Sequence, residues 1–403
     1  MKTYPYWLEE PVITGKDHLP REGEILIVGA GLAGVSTAYW LLKEGFKSIS
    51  LIDDESAQAA SFRNCGHILH GTVESMEGLV KLFGAEKAKE IWSFSVEACE
   101  LVKSSVFELR QDVEYEQDGY LCLAVDPVEA YQLQSSVNFL KSNGFESEYW
   151  SEHKVKSLGF KNVFGGRYEP GGAQAHPVKF RNALLQSSMN AGVLYRSGMK
   201  VKSYQSDENG KICVSTVHGE LLYDAVVLAT NAYSAQYSDF FRNGHLIEPF
   251  RGQIMVSSPL QKDIELISYP HSFNRGYEYA LLTQDRRLML GGWRDQVKGQ
   301  EIGCFELECN PEIEQGLQDF CEKHYEINKV QWDYSWSGMM GSSKTGLPFI
   351  GPTNHPQVFT CAGFTGHGFS WAHGSARLLA QLMAGRPIAH CARYFDPCQR
   401  SLS

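Results

Sequence analysis

The stretch EILIVGAGLAGVSTAYWLLKEG, residues 24–45, followed by SISLIDD, residues 48–54, decides the fold. Glu24-Ile25-Leu26-Ile27-Val28 is a short continuous apolar run, the pattern of a strand buried in a parallel sheet. Gly29-Ala30-Gly31-Leu32-Ala33-Gly34 follows at once and fills the G-x-G-x-x-G pattern. Val35 to Glu44 reads as a helix that Gly45 stops, and Ser48–Ile52 as a second strand ending on Asp53. The first glycine allows a tight turn and the second lets the backbone approach a pyrophosphate. The third lets helix and strand pack closely, so that the helix N-terminus faces the phosphates. Asp53 lies nineteen residues after Gly34, where a carboxylate accepts hydrogen bonds from a ribose diol. A glycine triplet alone is a weak signal. Set between strand, helix, strand and acid, it specifies a right-handed β–α–β unit that binds a dinucleotide.

The rest of the composition narrows the possibilities. At 403 residues the chain exceeds the size of a typical single core, so two domains are expected. An apolar share of 43% and a charged share of 21% are ordinary for a globular protein. The net charge of −10, with no basic stripe, argues against nucleic acid as a partner. No apolar run approaches the roughly 20 residues of a transmembrane span. MKTYPYWLEEPVITGKDHLP at the amino end lacks the apolar core of a signal peptide, so a cytoplasmic location is expected. The ten cysteines are scattered without a C-x-x-C pair, which predicts reduced thiols and no zinc site.

Further along, Val73 to Glu108 has helical periodicity, and strands are expected at Gly119–Val125 and around 165–168. A helix over Val178–Met189 precedes strands at Lys200–Tyr204 and Ile212–Thr216, then a buried parallel strand at Asp224–Thr230. Alternation from Glu248 to Trp293 suits antiparallel strands, notably Arg287–Gly292. Helices are expected at Pro311–Tyr325 and about Ser370–Ala384, with a strand at Val358–Cys361 between them. This order predicts an α/β protein in two discontinuous domains. A Rossmann-like nucleotide-binding domain takes residues 1–75, 170–240 and 331–403. A mixed α+β domain on an antiparallel sheet takes 76–169 and 241–330.

Three later features accompany the amino-terminal unit. Val227-Leu228-Ala229-Thr230-Asn231-Ala232 is similar to the ATG strand of flavoproteins, with Asn231 for glycine; Asn is the non-glycine residue that best tolerates a positive φ there. Trp336-Ser337-Gly338 precedes Thr345-Gly346-Leu347-Pro348-Phe349-Ile350-Gly351-Pro352, and Gly363-Phe364-Thr365-Gly366-His367-Gly368 forms another strand-to-helix turn. In order and spacing these four motifs resemble the FAD-dependent D-amino acid oxidase-like family, which includes glycine, sarcosine and gamma-glutamylputrescine oxidases. The resemblance spans nearly the whole chain. It implies FAD as cofactor, with Gly29 to Gly34, Asp53, Asp54, Val201, Thr230, Asn231, Ala232, Gly338 and Gly363 to Gly368 in contact with it. The last turn would set N–H groups and a helix N-terminus beside the electron-rich end of the isoalloxazine.

SFRNCGHILHG, residues 61–71, also fits that family. Its relatives run a stretch like S-G-R-N-G-G-Q/H beneath the flavin, so Ser61, Arg63, Asn64, Cys65, Gly66 and His67 are expected at the cofactor. A metal on Cys65, His67 and His70 lacks a fourth ligand, and a Cys–His nucleophile has no part in hydride transfer. Relatives with a cysteine tether place it near Met339, and those with a histidine tether place it slightly before His67, so non-covalent FAD is expected.

His67, Tyr279 and His70 are the candidates for the substrate side, with His67 standing in for the basic groups of relatives. The carboxylate clamps of relatives align with Met340 and Ser370, and the lysine that assists oxygen aligns with Met289; all three positions are uncharged here. Arg275, Arg294 and Lys344 are the substitutes within reach of other loops. Tyr277, Tyr279, Trp293 and Trp336 either form an aromatic pocket or pack the core. The resemblance implies hydride transfer from an amine or amino acid to FAD, with oxygen as the acceptor and hydrogen peroxide as product. A dehydrogenase with another acceptor and a flavin-binding accessory protein without turnover are the alternatives.

Overall fold

The computed structural model describes residues 1–54 and 58–400; residues 401–403, at the end of the expected nucleotide-binding domain, lie outside it. Glu22–Val28 sits inside an eight-stranded sheet. Its parallel neighbours are Gly219–Leu228 on one side and Ile49–Asp53 on the other. Leu194–Ser197 and Val358–Ala362 extend the parallel set, and Phe349–Pro352 closes one edge antiparallel. Because side chains alternate along a strand, Ile25 and Ile27 enter the core beneath the helices, while Leu26 and Val28 enter a second core. Helices Leu32–Lys43, Pro177–Asn190 and Gly368–Met383 share the first core. The antiparallel strands Val201–Ser206 and Ile212–Thr216 help to cover the second.

The second sheet also has eight strands. Trp332–Ser343, Ile247–Ser257, Leu288–Gly291, Glu278–Leu282 and His271–Phe273 run antiparallel in that order. Tyr120–Leu123, Gly166–Glu169 and Glu148–Trp150 complete it, with a parallel step between His271–Phe273 and Tyr120–Leu123. Helix Pro311–His324 packs on one face through Ile313, Leu317 and Phe320, against Met255, Leu288 and Leu290. The opposite face presents Ile254, Val256, Leu281, Met289 and Trp336 to Phe62, Cys65 and Trp7. This face of the second sheet therefore shares a core with the segment that follows the nucleotide-binding unit.

The layout departs from the expected boundaries in two places. Trp332–Ser343 falls in the 331–403 piece but pairs along its length with Ile247–Ser257, so it belongs to the second sheet. The helical run expected over Val73–Glu108 is two helices, Met76–Phe83 and Ala85–Leu109, separated at Gly84 with φ of +83°. The longer one packs with the nucleotide-binding helices through Ile91, Trp92 and Val102, although it lies in the 76–169 piece. Strand pairing in the first case and side-chain burial in the second, neither of which sequence order reveals, decide membership.

Candidate functional site

Three turns at strand ends and one irregular segment make the site. Gly29 turns with φ of +105°, and a Cβ there would lie 2.7 Å from the Ala229 carbonyl oxygen. A Cβ on Gly34 would collide with the Gly29 carbonyl oxygen, so the helix Leu32–Lys43 sits directly on the turn. At Gly31 a Cβ would come 3.0 Å from Ser61 Oγ, and Ser61 Oγ accepts the Leu32 N–H at 2.7 Å. Asp53 is buried, and its Oδ2 accepts the Ala30 N–H at 2.6 Å. Ala33 is buried in the first turn of the helix. Asp54 is exposed and pairs with Lys200 at 3.4 Å, while Val201 is buried just after Met199, whose N–H reaches the Asp53 carbonyl at 2.9 Å. A cradle too tight for side chains at a helix N-terminus, with a carboxylate at the neighbouring strand end, fits a dinucleotide.

Arg181 organises this turn from behind and had no part in the sequence reading. It is fully buried and donates to the carbonyls of Ala30 and Ile13, each at 3.0 Å, and to Asn182 Oδ1 at 3.0 Å. The signal was available: Arg181 interrupts the apolar face of PVKFRNALL, and buried guanidinium groups are rare without partners.

The second and third turns are joined. Asn231 has φ of +41°, and its Oδ1 accepts the Gly363 N–H at 2.9 Å. Thr230 Oγ1 bonds Ser234 Oγ at 3.0 Å and Ala232 is buried beside them. Thr365 donates its N–H to Gly341 O at 2.9 Å, which ties Gly363–Gly368 to the strand Trp332–Ser343. His367 caps the helix that begins at Gly368, Phe364 is buried, and a Cβ on Gly366 would meet nothing within 4 Å.

The segment after the second strand runs between these turns and the second sheet. Arg63 Nη1 donates to Ser337 O at 2.8 Å, and a Cβ on Gly338 would lie 2.8 Å from Arg63 Cβ. Asn64 closes on itself, its Nδ2 reaching Ala60 O at 3.0 Å and its Oδ1 the Gly66 N–H at 2.7 Å. Cys65 is buried, and burial pushes its thiol well above the ordinary range, so it is no nucleophile. All ten cysteines are free thiols, and no cluster that could hold a metal exists among the described residues.

His67 lies in the short strand His67–Ile68 opposite Gln174, and its Nε2 meets the Ala280 carbonyl at 3.1 Å. A carbonyl only accepts, so Nε2 carries the proton and Nδ1 the lone pair. Burial, helped by His271 and His367, holds this imidazole down at about 3. It is neutral near pH 7 and does not replace the charged clamp of relatives. Its ring lies 6.2 Å from Tyr279 and 6.5 Å from Tyr120. Burial keeps the Tyr279 phenol protonated far into the alkaline range. His70 is not brought to this group. It packs where a Cβ on Gly171 would strike its ring, and burial lowers its pKa.

Tyr279 lies across Gly291, where a Cβ would meet its ring at 2.6 Å. Next to it a Cβ on Gly252 would lie 2.6 Å from Met340 Cε and 3.6 Å from the Tyr279 hydroxyl, and Gly252 pairs with Gly338. Of the two readings open for the aromatic residues, packing holds for Trp293 and Trp336. Trp336 is fully buried, Trp293 packs on Gly316 of helix Pro311–His324, and Tyr277 is exposed. Arg275 turns to Glu129 and Gln132, Lys344 is exposed, and Arg294 stacks over Phe250 at 4.5 Å. Ser370 is buried and donates to Leu69 O at 3.2 Å.

A family model described as FAD dependent oxidoreductase (DAO) matches residues 24–382. The chain belongs to the DAO family of FAD dependent oxidoreductases. The probable oxidoreductase OrdL of Haemophilus influenzae is 24% identical over 391 residues, covering 93% of this chain and 85% of the relative. Among solved structures, glycine oxidase from Geobacillus kaustophilus superposes with a TM-score of 0.79 at 19% identity, covering 95% of this chain and 98% of that one. L-proline dehydrogenase from P. horikoshii gives 0.78 at 21% identity, covering 95% and 99%. The DAO fold is thus shared with an oxidase and a dehydrogenase. FAD is the cofactor, and the protein is an FAD-dependent oxidoreductase. No described helix is long and apolar enough to cross a membrane.

Proposed function

We propose that this DAO-family enzyme oxidises the carbon–nitrogen bond of an amine or amino acid, with FAD held non-covalently. The convergence of three nucleotide-side turns and a glycine-floored wall on the segment Ser61–His67 carries this reading. FAD when bound supplies the acceptor for the hydride leaving the amine-bearing carbon; the imine then takes up water to give a carbonyl compound and an amine or ammonia.

The chain binds and orients. Gly29–Gly34 and the helix behind them hold the pyrophosphate, Asp53 the ribose, and Gly363–Gly368 brings a helix N-terminus towards the ring. Val201, Thr230–Ala232, Ser61–Gly66 and Gly338 line the remaining length. At the substrate side, His67 Nδ1 is an acceptor and the Tyr279 hydroxyl a donor, both uncharged, which suits a neutral amine. Arg167 is committed to Glu169 at 2.9 Å and Arg251 to Glu301, so neither is available to a substrate carboxylate. Buried Cys65, with its proton retained, supports a cofactor without a covalent tether.

Oxygen is the first acceptor to test, with hydrogen peroxide as product. A second reading, dehydrogenase activity, is favoured by Met289, a fully buried apolar side chain where oxygen-reactive relatives carry a lysine. Anaerobic mixing of the yellow holoprotein with primary amines, secondary amines and D- and L-amino acids tests the proposal. Bleaching by an amine is expected. Prompt return of colour in air marks an oxidase and lasting bleaching a dehydrogenase; no bleaching by any member supports the accessory-protein alternative.

A further inference from the structure

Residues 63–66 lie between a short 3-10 turn, Ala60–Phe62, and the strand that starts at His67, so their backbone groups need partners from elsewhere. Two come from indoles distant in the chain. Trp336 Nε1 donates to the Arg63 carbonyl at 3.1 Å, and Trp7 Nε1 donates to the Asn64 carbonyl at 2.7 Å. Both indoles are buried, at 0% and 3% exposure. The Gly66 carbonyl is taken by the Ala175 N–H at 3.0 Å, and the Gly66 N–H by Asn64 Oδ1. The N–H groups of Asn64 and Cys65 have no partner among the described residues. The peptides are trans, so each of these N–H groups points away from the carbonyl, and hence from the indole, that fixes its plane.

The two indoles are braced together. Ser335, beside Trp336, donates its N–H to the Lys2 carbonyl at 2.9 Å, and the Lys2 N–H reaches Asp333 O at 2.7 Å. The amino-terminal strap thus docks on the strand that carries Trp336. Tyr6 meets Tyr334 edge to face at 5.6 Å, and Trp7 packs on the His176 ring at 4.6 Å.

We propose that Trp7 and Trp336 are positioning residues for the flavin: they lock the Arg63–Asn64 and Asn64–Cys65 peptide planes so that two amide N–H groups serve the cofactor. The amino-terminal strap is then part of the cofactor site, although it precedes the nucleotide-binding fold. The inference rests on the assignment of Ser61–His67 to the flavin. Amide donors held in place stabilise negative charge on the reduced ring better than mobile ones.

The test uses W7F and W336F, which keep an aromatic ring but lose the indole N–H and part of the ring volume. Apoprotein is titrated with FAD, the two-electron potential of the bound flavin is measured, and apoprotein melting is recorded. Loss of one fixing hydrogen bond predicts FAD dissociation constants raised roughly fivefold or more, by the usual net value of such a bond. The flavin potential should move downward, while apoprotein melting falls only by the modest amount that the smaller ring costs. Y4F, altered on the exposed side of the strap, should bind FAD as wild type does. Unchanged affinity and potential in W7F would overturn the inference, as would a lowered melting point with the flavin unaffected. If one variant fails to fold, the other decides by the same readings. Failure of the wild-type apoprotein to take up FAD would instead sink the assignment of the segment itself.

Discussion

Two glycine surfaces meet at the cofactor segment, and they are built by opposite means. On the nucleotide side Gly29, Gly31 and Gly34 lie within six residues, and each meets a neighbour from the same β–α–β unit or its immediate surroundings. On the substrate side Gly252 and Gly291 come from two strands, 39 residues apart, and are assembled by strand register. The first surface is the one proposed above to hold FAD. The second is shaped by Tyr279 and Met340, the side chains that lie over it. A motif read locally therefore points to the cofactor, and the wall proposed to face the substrate emerges only when the sheet is paired.

Substitutions on the two surfaces should accordingly have separable effects. The largest is expected from G34A, whose Cβ collides with the Gly29 carbonyl. It should abolish FAD binding and cost at least about 3 kcal/mol of stability, read by flavin content and denaturant melts. A yellow, stable G34A protein would break the claim that the nucleotide surface tolerates no side chain.

The far face of the substrate sheet supplies the next effect. Glu278 is buried beside Asp295, and burial first, then that neighbouring charge, raises its carboxyl to about 7. A carboxyl raised in the folded state binds its proton more tightly there than when unfolded. It therefore costs little below pH 4.5, and stability is lost as the pH rises towards 7. E278Q should remove that loss and raise stability at pH 8 by an amount on the order of 3 kcal/mol, with FAD content unchanged. Parallel melting curves for E278Q and wild type from pH 4 to pH 8 would contradict it. Removing the guanidinium in R181M leaves the Ala30 and Ile13 carbonyls unsatisfied, which predicts a loss of about 2 kcal/mol together with weaker FAD binding. If R181M binds FAD normally, Arg181 supports only the fold. The smallest effect belongs to Y279F: about a tenfold fall in kcat/KM with the flavin spectrum intact, the value of one hydrogen bond near the reacting amine.

The same contrast explains what the sequence disclosed. Strand, turn and helix at Glu22–Lys43 were legible because hydrophobic run, glycine spacing and helix stop all lie within one short window. The positive φ of Asn231 was legible because only a few residue types tolerate it. Trp293 and Trp336 were candidates for the pocket because aromatic residues serve pockets and cores equally well. Trp293, beyond the end of strand Leu288–Gly291 and in a left-handed conformation, packs on Gly316, and packing buries Trp336 behind the Arg63 carbonyl. Trp7 gave one clue, a large apolar residue in a polar amino-terminal stretch, and its partner lies 57 residues away.

The division between a cofactor surface and a substrate surface is tested most directly by G252V. The added side chain occupies the floor beneath Met340 and the Tyr279 hydroxyl, away from the nucleotide turns. The measurement is an anaerobic titration of the G252V holoprotein with an amine that bleaches the wild type. The account predicts one FAD per chain, a wild-type visible spectrum and little or no bleaching. Loss of FAD from G252V, or bleaching at wild-type amine concentrations, would contradict it.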